Sequence, residues 1–341
     1  MTPQEAACRL ATEFLKPRAE AVDRLDLPLA ENLQALAAAG LAGLTIAEAD
    51  GGLGASPEVH RTVARELAAA CGVTHFTVAQ HWSACHLLAT GQAEPLKRRL
   101  LPELARGQRW VAIAFAHLRR PGPPVLRATL QDGGWILDGE APWLTGWSLM
   151  DSAVVGATQP DGSFVYVWTP LAGLVASPPL RLCAMEASAT VRLTFSQWFV
   201  PLEHTLFVTD LEATRIQDRA NVLRATSMTL GCSRAAVELV EALAAKRRLD
   251  SIRQAAERLR ARYQALVTAI DAAGADFDAN LSLRLKSIEL AVHASHAAVA
   301  AASGAANLRD HPAQRLYREA MFYTVQAQTH EVLEGLMDQV P

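Results

Sequence analysis

Residues 126–145, LRATLQDGGWILDGEAPWLT, mark a change in the periodicity of the chain and thereby decide its fold class. Upstream, apolar residues recur at the three- and four-residue spacing of helices, whereas here short strand-like runs are separated by turn signals. Asp132-Gly133-Gly134 lies between two such runs and predicts a β-hairpin. Pro160-Asp161-Gly162 separates the next two runs in the same way. We therefore predict a small antiparallel β domain over residues 113–205.

The regions on both sides of this β domain have helical periodicity. In the Ala/Leu-rich N-terminal region we predict helices at residues 29–41 (with a stop at Gly40), 57–70 and 95–106. In the C-terminal region we predict helices at residues 221–249, 251–273 and 281–302, a turn at 310–312 and a final helix to about residue 337. The expected fold class is α+β, with an N-terminal helical domain (1–112), the central β domain and a C-terminal helical bundle (206–341).

The composition of the chain sets limits on its function. With 341 residues, of which 50% are hydrophobic, the chain can bury more than one core. The formal net charge of -3 offers no field that would attract nucleic acid or an anionic membrane. Five scattered cysteines without a CxxC pair indicate a reducing compartment. No signal-peptide core or long apolar run stands out, and we expect a cytoplasmic protein without a metal site.

Six segments carry a resemblance to one known family. Residues 40–46 (GLAGLTI), continued by GGLG at 51–54, are similar to the N-terminal helical domain of the acyl-CoA dehydrogenase superfamily. The other segments resemble later motifs of that family, in the same order: 101–108 (LPELARGQ), 134–145, 199–203 (FVPLE), 231–236 (GCSRAA) and 316–320 (LYREA). These matches cover nearly the full length, and the chain is identified as a member of the superfamily.

The resemblance implies an FAD site and assigns residues to it. Trp143 would cover one face of the isoalloxazine ring, and Thr145 would offer a hydroxyl near its reactive edge. The alternative for Trp143 is packing in the core of the β domain. Arg247 would reach the flavin pyrophosphate across a subunit interface, although a basic run such as 246–248 also suits a solvated helix face. Gly304 and Thr329 match a glycine-rich loop and the threonine that follows the family's base.

The chain departs from the family at the catalytic base. Ala327 stands where the resemblance expects a glutamate, and Asn221 occupies the position that carries the base in a minority of members. Neither side chain can accept the substrate α-proton. Asp218, one helical turn before Asn221, is a possible substitute. No residue is therefore assigned as catalytic.

Other contacts expected from the family are also reduced. Residues 118–121 read LRRP in place of LTEP, and Val222-Leu223 stand where an arginine usually faces the substrate. The connection after Arg247 is too short for the family's FGxxxxxxQ loop. We expect weak or absent FAD binding.

Three functions fit these features. The first is an acyl-CoA dehydrogenase-like, flavin-dependent oxidoreductase acting on the CH–CH group of an acyl-CoA or acyl-carrier thioester, with the usual base missing. The second is a non-catalytic subunit that pairs with an intact paralogue, and the third is a flavin monooxygenase of the same fold. In each case we expect an oligomer, either of identical chains or with a paralogue, because the Ala-rich C-terminal helices present much apolar surface.

Overall fold

The computed structural model describes residues 1–340, which form a helical region, a β-sheet and a second helical region. The α+β fold class is confirmed. A five-residue π-helical segment, Ala11–Leu15, joins the first two helices. The N-terminal helices are α1 (Pro3–Leu10), α2 (Lys16–Asp23), α3 (Leu29–Ala38), α4 (Pro57–Ala70), α5 (Gly72–Thr90) and α6 (Glu94–Ala105). Gly40, at φ 75°, stops the chain after α3 as expected, because a left-handed residue ends a helix at little steric cost to glycine.

The β region forms a single eight-stranded sheet. Its strands are β1 (Val111–Ala114), β2 (Leu126–Gln131), β3 (Gly134–Leu144), β4 (Ser152–Thr158), β5 (Phe164–Pro170), β6 (Val175–Ala176), β7 (Val191–Pro201) and β8 (Thr205–Thr209). The strand order is β6-β7-β3-β2-β4-β5-β8, and β1 pairs with β4. Both predicted hairpins are present: Gly133, at φ 81°, lies in the turn between β2 and β3, and Gly162, at φ 87°, lies between β4 and β5.

The sheet is mixed and not wholly antiparallel as the sequence suggested. Five pairings are antiparallel, but β1 and β2 each run parallel to β4. The β2–β3 hairpin separates β1 from β4 in the chain, and a parallel pair needs such an intervening connection. Hairpin turns in the sequence cannot reveal this crossover, because they specify only neighbouring strands.

The C-terminal region contains more helices than expected. They are α7 (Leu211–Ala220), α8 (Thr226–Arg247), α9 (Asp250–Asp271), α10 (Phe277–Ala302), α11 (Pro312–Val325) and α12 (His330–Met337). The predicted helix start at Asn221 is wrong, because this residue caps the end of α7 and its amide donates to the Gln217 carbonyl oxygen at 2.9 Å. The predicted single final helix is also wrong, since Ala327, at φ 50°, separates α11 from α12.

Close packing joins the two helical regions. A Cβ on Gly231 of α8 would lie 2.5 Å from the Cβ of Ala68 on α4, so only glycine permits this approach of the two helices. Helix α5 is buried along much of its length, including Val78, Trp82 and Cys85. No helix among the described residues has the length and apolarity needed to cross a membrane.

Candidate functional site

Trp143 lies near the end of β3, with its side chain open to solvent. It is 40% exposed, which excludes the alternative that it packs in the core of the β domain. The Arg120 guanidinium carbon lies 6.0 Å from the centroid of the Trp143 ring. An indole face beside a guanidinium is a surface on which a planar ring system can stack.

Thr145, two residues further on, is buried and held by other hydroxyl groups. Its Oγ1 lies 3.3 Å from Thr190 Oγ1, which in turn lies 2.8 Å from Ser188 Oγ. The Gly146 amide donates to the Ser188 carbonyl oxygen at 2.7 Å. These bonds fix the backbone after β3 against the segment that precedes β7.

The LRRP segment is attached to α7 by an ion pair. Arg119 donates from Nε and Nη2 to the two carboxylate oxygens of Asp218, at 2.6 and 2.7 Å. Burial lowers the pKa of Arg119, but the hydrogen bonds and charge of Asp218 outweigh this effect and raise it above its ordinary value. Both carboxylate oxygens of Asp218 are therefore occupied, which weakens the case for Asp218 as a substitute base.

Ala327 lies exposed in the turn between α11 and α12. Beside it, the Gln326 carbonyl oxygen accepts a 3.0 Å hydrogen bond from Nη2 of the buried Arg284. The Thr329 hydroxyl accepts a hydrogen bond from the Val332 amide at 3.4 Å and so caps the N-terminus of α12. No group in this turn can serve as a carboxylate base.

Arg247 and Gly304 lie together at one end of the C-terminal bundle. Arg247 donates from Nη2 to the carbonyl oxygen of Ala302, the last residue of α10, at 3.2 Å. A Cβ on Gly304 would meet no atom within 4 Å, so the space beside it is open. Arg248, at φ 56°, and Leu249 form the short connection to α9 beside a groove of about 420 Å³.

The five site residues inferred from the sequence thus form three groups. Trp143 and Thr145 share a strand end, Arg247 and Gly304 share a helix end, and Thr329 caps α12. Within residues 1–340, no hydrogen bond or ion pair links one group to another. Their roles toward flavin remain predictions.

One set of polar side chains was missed by the sequence reasoning. Arg224 donates to the Ser83 hydroxyl oxygen at 3.3 Å. Burial, and after it the charge of Arg224, lowers the pKa values of His60 and His86. These residues come from α4, α5 and the turn before α8. The histidines show no regular spacing, so only the tertiary structure brings them together.

The N-terminal region of the chain resembles a known family of domains. Residues 2–108 match the family model described as "Acyl-CoA dehydrogenase, N-terminal domain". The chain is 28% identical over 217 residues to a mitochondrial isovaleryl-CoA dehydrogenase of Solanum tuberosum, an alignment that covers 60% of this chain and 52% of the relative. Residues 2–108 thus belong to the family of acyl-CoA dehydrogenase N-terminal domains, and the chain is similar to acyl-CoA dehydrogenases over 60% of its length. It spans about half the length of the curated relatives it matches.

Solved structures of the superfamily share the fold over almost the whole chain. Butyryl-CoA dehydrogenase from Megasphaera elsdenii superposes with a TM-score of 0.86 at 18% identity, covering 99% of this chain and 97% of that one. A glutaryl-CoA dehydrogenase from Mycobacterium smegmatis, in complex with FADH2, superposes with a TM-score of 0.85 at 18% identity, covering 99% and 94%. At this identity the likeness concerns the fold alone.

Proposed function

We propose that this protein is an acyl-CoA dehydrogenase-like, flavin-dependent oxidoreductase acting on the CH–CH group of an acyl thioester, with the usual base missing. The observation that supports it most directly is the strand end at Trp143 and Thr145. An exposed indole stands there next to a rigid backbone segment, within a fold shared with acyl-CoA dehydrogenases.

The residues at this strand end fit the ring system of FAD. Trp143 would stack on one face of the ring and exclude water from it, and the Thr145 segment would hold its polar edge. When bound, FAD would accept a hydride from the acyl chain. Arg247 fits the diphosphate less well, because one of its nitrogens already donates to the Ala302 carbonyl oxygen.

Removal of the α-proton is the step for which this chain offers no evident group. Ala327 has no titratable atom, and the Asn221 amide is bonded to the Gln217 carbonyl oxygen. Asp218 is held by Arg119 through both carboxylate oxygens. These observations favour a second candidate function, that of a non-catalytic subunit paired with an intact paralogue.

The proposal is tested by adding FAD and thioesters to the purified full-length protein. We expect FAD binding in the micromolar range, measured by quenching of flavin fluorescence, since each unmatched polar contact costs about 1–3 kcal/mol. Bleaching of the flavin band under anaerobic conditions by butyryl-CoA or isovaleryl-CoA would support the oxidoreductase. Binding of FAD without bleaching by any acyl thioester would favour the non-catalytic subunit, and no binding of FAD would overturn the proposal.

The variant Ala327→Glu examines whether the site lacks only its base. A general base contributes about two to four decades in rate, but misplacement by about 1 Å costs a hundredfold. Because arginines replace the LTEP residues, we expect Ala327→Glu to bleach flavin no faster than Ala327→Gln, its uncharged control. Bleaching by Ala327→Glu alone would show an otherwise intact site and count against the non-catalytic subunit.

We further propose that the chain forms an oligomer. Tyr317, Met321 and Val325 follow one another at four-residue spacing on α11, and each is more than 40% exposed. Such an apolar stripe is unusual on the surface of a monomer. Light scattering should report a dimer or larger species, and a monomer at micromolar concentration would contradict it.

A further inference from the structure

Helix α7 (Leu211–Ala220) lies on the surface, between strand β8 and the turn that precedes α8. Of its ten residues, only Thr214 is buried. The apolar side chains of Leu211 and Ile216 are 43% and 61% exposed. A helix in a folded protein is usually held in place by an apolar face that packs against its neighbours. Apolar packing therefore contributes little to the attachment of α7.

The hydrogen bonds at the N-terminal end of α7 are local. The Asp210 carboxylate accepts from the Ala213 amide at 2.7 Å, and the Thr214 hydroxyl donates to the Asp210 carbonyl oxygen at 2.8 Å. These bonds cap the helix, but they join residues of the same segment and do not fasten it to another element. The N-terminal end can therefore serve as a hinge.

The C-terminal end of α7 is attached to two different regions by polar contacts. Asp218 accepts two hydrogen bonds, of 2.6 and 2.7 Å, from Arg119 in the segment after β1. Arg219 lies over the ring of Phe277, the first residue of α10, and donates at 3.5 Å to Glu331 in the first turn of α12. The last turn of α7 thus bridges the sheet region and the C-terminal bundle.

The two attachments lie beside the residues of the proposed flavin site. Arg120 follows Arg119 in the chain, and its guanidinium carbon is 6.0 Å from the centroid of the Trp143 ring. Glu331 comes two residues after Thr329, the N-cap of α12. The last turn of α7 therefore connects the neighbourhood of Trp143 with the helix that follows the Ala327 turn.

The surface under the first attachment does not depend on α7. The Arg119 guanidinium carbon lies 5.8 Å from the centroid of the Phe115 ring. The Phe115 ring lies 5.2 Å from that of Tyr166 on β5, which stacks at 4.5 Å on Phe207 of β8. If Asp218 leaves, Arg119 keeps this aromatic partner and the rings keep one another. Release of α7 would thus leave the sheet intact.

We propose that α7 is a strap, which opens at its C-terminal end when the Arg119–Asp218 and Arg219–Glu331 pairs separate. Ion pairs that are partly exposed contribute little free energy, and segments with few buried apolar contacts are those that open locally. The strap itself stands on these contacts alone. That its opening admits FAD to the space beside Trp143 rests on the proposed function.

Amide hydrogen exchange of the full-length protein, measured by mass spectrometry, tests the strap. We expect peptides from α7 to exchange faster than peptides from the largely buried first half of α8. Arg119→Gln and Glu331→Gln, which leave the sequence of α7 unchanged, should each raise its exchange about fivefold without affecting α8. Arg253→Gln removes ion pairs with Asp250 and Glu257 on α9 and should leave α7 unchanged.

Three outcomes would overturn the strap. They are exchange of α7 in the wild type as slow as that of α8, equal exchange of α7 in wild type and Arg119→Gln, and an equal rise in α7 and α8, which would indicate a global loss of stability. The circular dichroism spectrum and unfolding midpoint show whether Arg119→Gln is folded. If it is not, unchanged exchange of α7 in Glu331→Gln overturns the strap instead.

The association rate of FAD, followed by stopped-flow quenching of flavin fluorescence, tests the control of access. Arg119→Gln removes a cation and Glu331→Gln removes an anion, so electrostatic steering of the anionic FAD would change their rates in opposite directions. Opening of the strap predicts that both variants bind FAD about fivefold faster than wild type. Opposite or absent changes would show that α7 does not control access. If FAD does not bind at all, the proposed function fails, whereas the strap is still decided by hydrogen exchange.

Discussion

Arg119 and Asp218 connect the segment after β1 to the last turn of α7 through two hydrogen bonds of 2.6 and 2.7 Å. The next residue, Arg219, lies 3.5 Å from Glu331 Oε1 on α12 and stacks over the Phe277 ring, with its guanidinium carbon 3.5 Å from the centroid. The end of α7 is therefore held by the sheet region on one side and by the C-terminal bundle on the other.

A double-mutant cycle of Arg119→Gln and Asp218→Asn should reveal this connection. The two side chains are 34% and 20% exposed, so the pair is neither fully solvated nor fully buried. We expect a coupling energy of about 1 kcal/mol from urea unfolding. A coupling energy near zero would contradict the structural role of the pair.

Gly72→Ala should destabilise the protein by about 1–3 kcal/mol. A Cβ at this position would lie 2.6 Å from the carboxyl carbon of Glu319, whose side chain is buried and bonded to Arg315 at 2.6 Å. The carboxylate cannot move away without loosening a buried ion pair. Gly274→Ala is the matched control, because its Cβ would meet nothing within 4 Å and its backbone is not left-handed. Equal unfolding midpoints for both variants would refute the predicted clash.

Buried histidines should make the protein less stable in mild acid. Burial lowers the pKa of His81 from 6.5 to about 4, although the Leu104 and Ala42 carbonyl groups oppose this. Between these pH values the unfolded chain binds a proton that the folded protein does not. The stabilisation is therefore complete above pH 6.5 and declines as the pH falls toward 4.

At pH 5 the loss should be on the order of 2 kcal/mol for such a histidine. His81→Gln, which keeps an acceptor for the Val111 amide, should reduce the difference in unfolding free energy between pH 7.5 and pH 5 by that amount. His330→Gln, at a histidine whose side chain is 79% exposed, is the control variant. An unaltered pH dependence in His81→Gln would show that His81 protonates equally in both states.

Trp143→Ala should weaken FAD binding about tenfold, since the aromatic stacking contribution is about 0.5–1.5 kcal/mol beyond the buried area. Trp143→Ala should change the free energy of unfolding only slightly, because the Trp143 side chain is 40% exposed. Phe199→Ala removes another aromatic side chain that is 50% exposed, on the neighbouring strand β7, and should leave FAD affinity unchanged. Equal losses of FAD affinity in both variants would show that Trp143 does not contact the flavin.

The local pattern of the sequence was sufficient for both hairpins and for helices α3, α4, α6, α9 and α10, whereas α1, α2, α5 and α7 were not predicted. Helix α4 begins and ends where its period and its proline predicted, and the glycine turns at Gly133 and Gly162 join adjacent strands as expected. These features depend on residues close together in the chain. The helix end at Asn221 and the break at Ala327 were missed because each depends on a single local backbone conformation inside a continuous helical pattern.

The candidate sites also contain some features that the sequence determined and others that only the tertiary structure decided. The sequence by itself determined the fold class, the strand that carries Trp143 and is followed by Thr145, and the absence of a glutamate at Ala327, because motif order and hydrophobic period are properties of the chain. Only the tertiary structure decided that Asp218 is held by Arg119 and that Arg224 meets Ser83, which are separated in sequence by 99 and 141 residues respectively. Ion pairs and desolvation depend on distance in space, and no sequence spacing specifies which distant side chains will meet.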